Sequence, residues 1–158
     1  MTPTTRRSLL TTALATTATV AAGLALPSIA HAADDLKDVK FPADPKALQP
    51  GLEAAHTPAI TLEKVEAKSV AYGKTPAGDF YRVHVQAKHE ATQEHHIDAI
   101  ALYINGRLVA NHLMNHPDPG ATLPVVSYVQ RLKAGDELVA VTTCNLHGKW
   151  GSRMALSA

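Results

Sequence analysis

The sequence has little cysteine, few aromatic residues and almost no net charge. Its 158 residues include one cysteine, one tryptophan, four tyrosines and two phenylalanines. A single cysteine cannot build an internal disulfide framework. Fifteen lysines and arginines against fourteen acidic residues give a formal charge of +1, with no long basic run. These features exclude a disulfide scaffold and argue against a nucleic-acid partner, and the length suits a single domain.

Histidine, in contrast, is abundant, because the chain contains nine. Imidazole nitrogen and thiolate sulfur are ligands that iron, copper and zinc accept, whereas calcium and magnesium prefer oxygen. Metal binding is therefore the first chemistry that the composition indicates.

The first 32 residues are predicted to be an export signal and not part of the fold. Arg6 and Arg7 precede a long uncharged stretch, and Ala30-His31-Ala32 fits a small-x-small cleavage site. We predict a twin-arginine signal over residues 1–32 and a periplasmic or other extracytoplasmic location, with no membrane attachment after cleavage. A permanent N-terminal anchor is the alternative, although the threonines in this stretch weaken its hydrophobicity. Twin-arginine export is typical of proteins that fold around a cofactor first.

The rest of the chain divides into a lead-in and a β-rich body. Residues 33–55 contain three prolines and a glycine, which favour an extended lead-in over a packed element. Short β-rich runs follow, bounded by Gly, Pro, Asn or Asp: 59–72, 80–87, 97–104, 107–113, 124–132 and 136–143. Asn105-Gly106 is a strong hairpin signal. Residues 56–158 are therefore predicted to form an all-β domain, an immunoglobulin-like antiparallel β-sandwich of about seven strands.

Two regions carry the clearest ligand patterns. Cys144 and His147 are three residues apart in a predicted turn, where sulfur and imidazole can reach one point. Alone this pattern is weak, since a buried cysteine beside a surface histidine would look the same. His89 and His95 flank a polar loop between two strands, so both rings can reach one metal. Neighbours in a strand point to opposite faces, so only one of His95 and His96 is expected to be a ligand.

The remaining histidines give weaker signals. His56 precedes Thr57-Pro58 at the predicted start of the first strand, where the proline stiffens the approach. Taken alone, it would be interpreted as a surface residue. His84 is expected on the exposed face of its strand. His112 and His116 lie near Met114 in a segment that is more typical of a solvated loop than of a second soft-metal site.

Because His56, His89, His95, Cys144 and His147 follow each other in this order, the chain resembles the superoxide reductases, that is, the neelaredoxin and desulfoferrodoxin iron-binding domain. The similarity covers about residues 56–150. Residues 95–103 (HHIDAIALY) are similar to the family's third-histidine strand, and residues 144–150 (CNLHGKW) to its CysAsnXxxHisGlyXxxTrp turn. The six-residue step from His89 to His95 also fits.

The resemblance implies one iron per chain, cycling between Fe²⁺ and Fe³⁺, in a square of four imidazoles with an axial thiolate and an open position opposite. The implied metal ligands are His56, His89, His95, Cys144 and His147. Such a centre reduces superoxide to hydrogen peroxide and is then reduced by a separate electron-donor protein. The resemblance also implies a homo-oligomer, and the alignment favours His95 over His96.

The sequence departs from the family before the first histidine. Where the family has a Glu-Lys pair, this chain has Ala54 and Ala55, and Glu53 is one residue out of step. Losing the lysine should weaken attraction of the superoxide anion without dismantling the iron ligands. Lys149 and Lys88, each beside an implied ligand, are candidate catalytic substitutes, or else solvated surface lysines.

Two other functions remain open from the sequence. A blue-copper electron carrier would use Cys144, His147, an upstream histidine and a methionine such as Met154. A blue-copper site would leave His56 and His89 without a role as ligands. A non-enzymatic iron- or zinc-binding module derived from the reductases would keep the ligands and lose turnover.

Overall fold

The computed structural model describes residues 35–44, 46–65, 78–114 and 123–157. Within these ranges a short helix, α1 (Leu52–His56), precedes seven strands. The strands are β1 (Ala59–Val65), β2 (Asp79–Gln86), β3 (Ile97–Ile104), β4 (Arg107–Leu113), β5 (Val125–Leu132), β6 (Glu137–Cys144) and β7 (Gly148–Ala155). The predicted all-β sandwich of about seven strands is confirmed.

The strands form two antiparallel sheets. One has the order β1-β2-β5 and the other β4-β3-β6-β7. Alternation places every second side chain between the sheets: Val83 and Val85 of β2 are fully buried, whereas Arg82 before them and Gln86 after them are exposed. The core between the sheets is mostly aliphatic, with Ile60, Val83, Val85, Ile100, Leu102, Leu132 and Leu138 among its members.

The predicted hairpin at Asn105-Gly106 is present. Both residues have positive φ, 50° and 73°, as a type I′ turn requires. The turn is fixed to the rest of the sheet because the Asn105 amide donates to the Asp136 carboxylate over 2.9 Å. This hydrogen bond joins the turn between β3 and β4 to the turn before β6 at the same end of the sandwich.

Two predicted boundaries need correction. The first predicted strand, 59–72, is present over Ala59–Val65, and the rest of it falls in residues 66–77, which lie outside the described residues. His56 does not open that strand but ends α1. The segment after Cys144 is more than a turn, because Gly148–Ala155 forms β7 and pairs along the whole length of β6.

The lead-in is also packed, contrary to the prediction for residues 33–55. Val39 is buried with Tyr103, Val139 and Val141 on the outer face of the four-stranded sheet, and Phe41 packs against the same cluster. Lys40, between them, forms a parallel bridge with Trp150 of β7. Prolines did not prevent this packing because the alternation of Val39 and Phe41 gives the segment one apolar face.

The predicted export signal, residues 1–32, lies outside the described residues. Over the ranges that are described, no helix has the length and apolar character needed to cross a membrane.

Candidate metal centre

One end of the sandwich brings the predicted ligands together from both sheets. β1 starts and β2 ends at this end of the first sheet, while β3 starts and β6 ends at this end of the second. His56 precedes β1 and His89 follows β2, so both extend from the three-stranded sheet. His95 precedes β3, Cys144 is the last residue of β6, and His147 lies in the β6–β7 turn.

Four imidazole nitrogens form a closed quadrilateral. Its sides are 3.1 Å from His56 Nε2 to His89 Nε2, 2.9 Å from His89 Nε2 to His95 Nε2, 3.0 Å from His95 Nε2 to His147 Nδ1, and 3.1 Å from His147 Nδ1 back to His56 Nε2. The Cys144 sulfur lies 3.8 Å from His89 Nε2 and 3.7 Å from His147 Nδ1. The structure thus places all five predicted ligands around one point.

The rings are steeply inclined to each other around this quadrilateral. Successive interplanar angles are 78°, 80°, 77° and 83°, starting from the His56–His89 pair. Rings arranged in this way do not stack face to face. Each instead presents the edge that carries a nitrogen to the common centre.

Hydrogen bonds fix which nitrogen of His56 and His89 carries the proton. His56 Nδ1 donates to the Leu52 carbonyl over 2.6 Å, and His89 Nδ1 donates to the Glu90 carbonyl. A carbonyl oxygen can only accept, so in the neutral ring Nδ1 holds the hydrogen and Nε2 holds a lone pair. The two Nε2 atoms are only 3.1 Å apart, and two lone pairs at that distance repel.

A metal cation fits this donor set. The centre of a square with sides of this length lies about 2.1 Å from each corner, which matches an imidazole–metal bond. A cation there would replace the repulsion between lone pairs with coordination. The backbone carbonyls that bind the two Nδ1 protons would then orient the rings, as outer-shell acceptors commonly do for metal-bound histidines.

Burial keeps these rings neutral. His56 and His89 are each only 1% exposed, and Cys144 is 3% exposed. Burial lowers the pKa of His56 and of His89 below the ordinary 6.5, although the carbonyl hydrogen bonds partly oppose the effect. Neutral imidazole is the form that binds a metal. His95 and His147 are only half-buried, so solvent reaches the cluster from their side.

Asn145 joins the two segments that carry His95 and Cys144. Its side-chain amide donates to the Glu94 carbonyl over 2.8 Å, and its side-chain oxygen accepts from the backbone N–H of His96 over 3.0 Å. A backbone bond from Asn145 N to His96 O adds a third link. The sequence analysis did not identify this role, although Asn145 follows Cys144 directly and its side-chain amide can both donate and accept hydrogen bonds.

Thr92 and Thr142 also help to position two of the predicted ligands, a role that the sequence analysis did not identify. Thr92 closes the turn before β3, because the His95 N–H donates to its hydroxyl over 2.9 Å. Thr142 is fully buried, and its hydroxyl donates to the His56 carbonyl over 2.5 Å. A threonine in a β-strand carries no signal of this kind in the sequence, since the partner is distant along the chain.

His96 lies outside the cluster. Its Nδ1 is 3.1 Å from the Thr92 carbonyl, and its Nε2 is 3.1 Å from the Asp98 carboxylate. Of the His95-His96 pair, only His95 therefore lies in the cluster.

Among the residues that the structure describes, no hydrogen bond joins either predicted catalytic lysine to the cluster. Lys149 Nζ donates to the Asp35 carbonyl over 3.3 Å, and the residue lines a cleft on the outer face of the four-stranded sheet. Lys88 lines a cavity of about 550 Å³ together with Lys46, Thr57 and Pro58. Glu53 accepts from the backbone N–H of Gln49 over 3.3 Å, so its carboxylate is engaged at the start of α1.

The sequence and the fold are similar to those of known proteins. The profile of the desulfoferrodoxin family matches residues 49–153. A superoxide reductase (neelaredoxin) from Ignicoccus hospitalis is 25% identical with a TM-score of 0.53, over 75% of this chain and 94% of that one. No curated protein matches the sequence.

Two further solved structures are similar. A superoxide reductase in the oxidized state is 25% identical with a TM-score of 0.51, over 77% of this chain and 99% of that one. The hypothetical protein PH1083 from Pyrococcus horikoshii OT3 is 30% identical with a TM-score of 0.51, over 70% of this chain and 96% of that one.

Proposed function

The chain belongs to the desulfoferrodoxin family, and we propose that it is a superoxide reductase with one iron per chain. Its substrate is superoxide and its product is hydrogen peroxide. Superoxide gains one electron and two protons in this reaction and releases no dioxygen.

The observation that carries the proposal is the closed quadrilateral of imidazole nitrogens with a thiol sulfur beside it. Two of its nitrogens, on His56 and His89, face each other as lone pairs. Four imidazoles and one thiolate form a ligand set that suits iron.

Iron bound by these five residues would alternate between Fe²⁺ and Fe³⁺ and supply one electron to superoxide. The Cys144 thiolate, buried at the end of β6, contributes negative charge that favours the oxidised state. His56, His89 and Cys144 are buried, whereas the half-buried His95 and His147 give a small anion access to the cluster from solvent.

The wider biological setting is part of the same proposal and rests on the family resemblance and on the pattern of the first 32 residues. A separate electron-donor protein returns the centre to its reduced state after each turnover. The chain functions as a homo-oligomer, and the twin-arginine signal over residues 1–32 exports it to the periplasm or an equivalent compartment.

The geometry argues against a blue-copper carrier. Met154 pairs with Leu138, whereas Gly148 pairs with Cys144 at the other end of the same two strands. Met154 is thus about 20 Å from the cysteine, far beyond a bond to a shared metal. A silent iron- or zinc-binding module would keep the same five ligands, so only turnover distinguishes it from the reductase.

The proposal is tested by loading the exported form with Fe²⁺ under anaerobic conditions and oxidising it. We expect one iron per chain and a thiolate-to-iron absorption band. Cys144→Ser should abolish the band, and His56→Ala should lower iron content severely. His112→Ala is the matched control, because His112 is exposed on β4.

Pulsed superoxide then measures turnover. With an electron donor present, the reductase yields one hydrogen peroxide per superoxide, whereas a dismutase yields half as much together with dioxygen. Bound iron without peroxide above the spontaneous yield would identify the silent module. Failure of the wild type to bind iron would refute the proposed function.

A further inference from the structure

A cation near the metal centre comes from the lead-in and not from the residues beside the ligands. Positions 54 and 55 are alanines, and Lys149 contacts the Asp35 carbonyl. Lys40, in contrast, donates from Nζ to the backbone carbonyl of His147 over 3.1 Å. His147 is one of the four imidazoles of the cluster.

The Lys40 ammonium also lies against an aromatic ring next to the site. Its Nζ is 4.9 Å from the centre of the Trp150 ring, a favourable cation–π distance. The Trp150 ring is in turn 5.6 Å from the His56 ring. Trp150 Nε1 donates to the same His147 carbonyl over 3.2 Å, so that oxygen receives two hydrogen bonds.

Backbone pairing holds Lys40 in this place. Its N–H donates to the Lys149 carbonyl over 3.0 Å, and its carbonyl accepts from the Gly151 N–H over 2.9 Å. Val39 and Phe41 pack on the outer face of the sheet, so alternation directs Lys40 to the opposite side, where Trp150 lies. Lys40 remains exposed to solvent, and an incoming anion can therefore meet its charge.

We propose that Lys40 is a positioning residue for His147 and also the cation that attracts superoxide to this centre. The inference rests on the proposed function. Its two parts are separable, because one concerns a hydrogen bond to the ligand turn and the other concerns charge.

Two variants and one control test the proposal. Lys40→Met removes both the donor and the charge at similar size, whereas Lys40→Arg keeps both. Lys37→Met removes one charge from the same exposed segment and serves as the matched control. The first measurement is the anaerobic loss of Fe²⁺ to a ferrous-specific chelator, which involves no turnover. The second is the rate constant for superoxide across ionic strength.

For Lys40→Met we expect iron loss to accelerate about threefold to tenfold, since a hydrogen bond from a charged donor to the His147 turn is removed. Its rate constant with superoxide should fall about threefold to tenfold at low salt, and the difference should shrink as salt screens the charge. Lys40→Arg should restore both values, and Lys37→Met should leave iron loss unchanged.

Unchanged iron loss in Lys40→Met would overturn the positioning role. A salt dependence equal to that of the wild type would overturn the steering role. Both outcomes differ from failure of the proposed function, in which the wild type binds no iron or produces no peroxide. If Lys40→Met does not fold, iron loss and salt dependence in Lys40→Ala, which also removes both the donor and the charge, decide the same two points.

Discussion

At the scale of single residues, the decisive feature is the placement of two protons. The Leu52 and Glu90 carbonyls hold the hydrogens of His56 and His89 on Nδ1 and leave both Nε2 lone pairs facing inward. Burial of the two rings then makes the charged form costly. The apoprotein is therefore prepared for a cation and poorly suited to additional protons.

This arrangement predicts how the stability of the apoprotein depends on pH. The pKa values of His56 and His89 are lower in the folded chain than the ordinary 6.5, so the unfolded chain binds more protons between the two values. The free energy of unfolding should therefore have its full value above about pH 6.5. It should fall as the pH decreases from there to the lowered pKa values of the folded chain. Urea unfolding of metal-free protein from pH 7.5 to 5 measures this fall.

His89→Gln should reduce the slope of stability against pH, because it removes one buried titrating ring. His112→Gln, on the exposed edge strand, should leave the slope nearly unchanged. A wild-type stability that rises on acidification would contradict neutral burial of the two rings.

At the scale of elements, the β6–β7 hairpin and the lead-in together build one side of the centre. The hairpin turn carries Cys144 and His147, and Gly148 closes it with a φ of 73°. The lead-in extends the sheet beyond β7 and places Lys40 against the same turn. A segment outside the predicted domain is thus part of the site.

Gly151→Ala should weaken this contact. A Cβ at position 151 would lie 2.6 Å from Val39 Cγ1 and 2.6 Å from Phe41 Cε1. The short valine side chain cannot move away freely, so the lead-in must shift from β7. We expect faster hydrogen exchange of the Lys40 amide and faster iron loss, in the same direction as for Lys40→Met.

Gly135→Ala provides a comparison, because it alters a distant glycine with open space around it, although its φ of 87° adds strain of its own. It should leave exchange at Lys40 unchanged. If the Lys40 amide of Gly151→Ala exchanges as slowly as that of the wild type, the position of the lead-in does not depend on this close approach.

At the scale of the whole molecule, the proposed metal joins the two sheets. His56 and His89 extend from the three-stranded sheet, whereas His95, Cys144 and His147 belong to the four-stranded sheet. A ligand that binds only the folded chain stabilises it by mass action. Iron binding at this position therefore supports the sandwich as a unit.

Removing the metal should lower the melting temperature of the whole domain in one transition. At free Fe²⁺ a hundredfold above its dissociation constant, the expected stabilisation is about 2.7 kcal/mol. Calorimetry of iron-loaded and chelator-treated protein measures the difference. Cys144→Ser should show a smaller shift with iron, and an identical melting temperature with and without metal in the wild type would contradict cross-linking of the sheets.

The sequence by itself determined the fold class and the identity of the clustered side chains. Alternation in Tyr81–Ala87 and the Asn105-Gly106 turn are local signals, so they predicted strands and a hairpin without knowledge of distant contacts. The five ligand positions came from residue types and from their resemblance to a family pattern. The export signal at residues 1–32 stays a prediction of the sequence.

Only the tertiary structure decided what surrounds those ligands. The Asn145 links to Glu94 and His96 and the contact of Lys40 with His147 join residues that are far apart along the chain, so their spacing carries no local period. Lys40 and His147 are 107 positions apart, and parallel pairing of the lead-in with β7 brings them together. Such contacts depend on which edges and faces meet, and that is settled when the two sheets and the lead-in bury their apolar surfaces together.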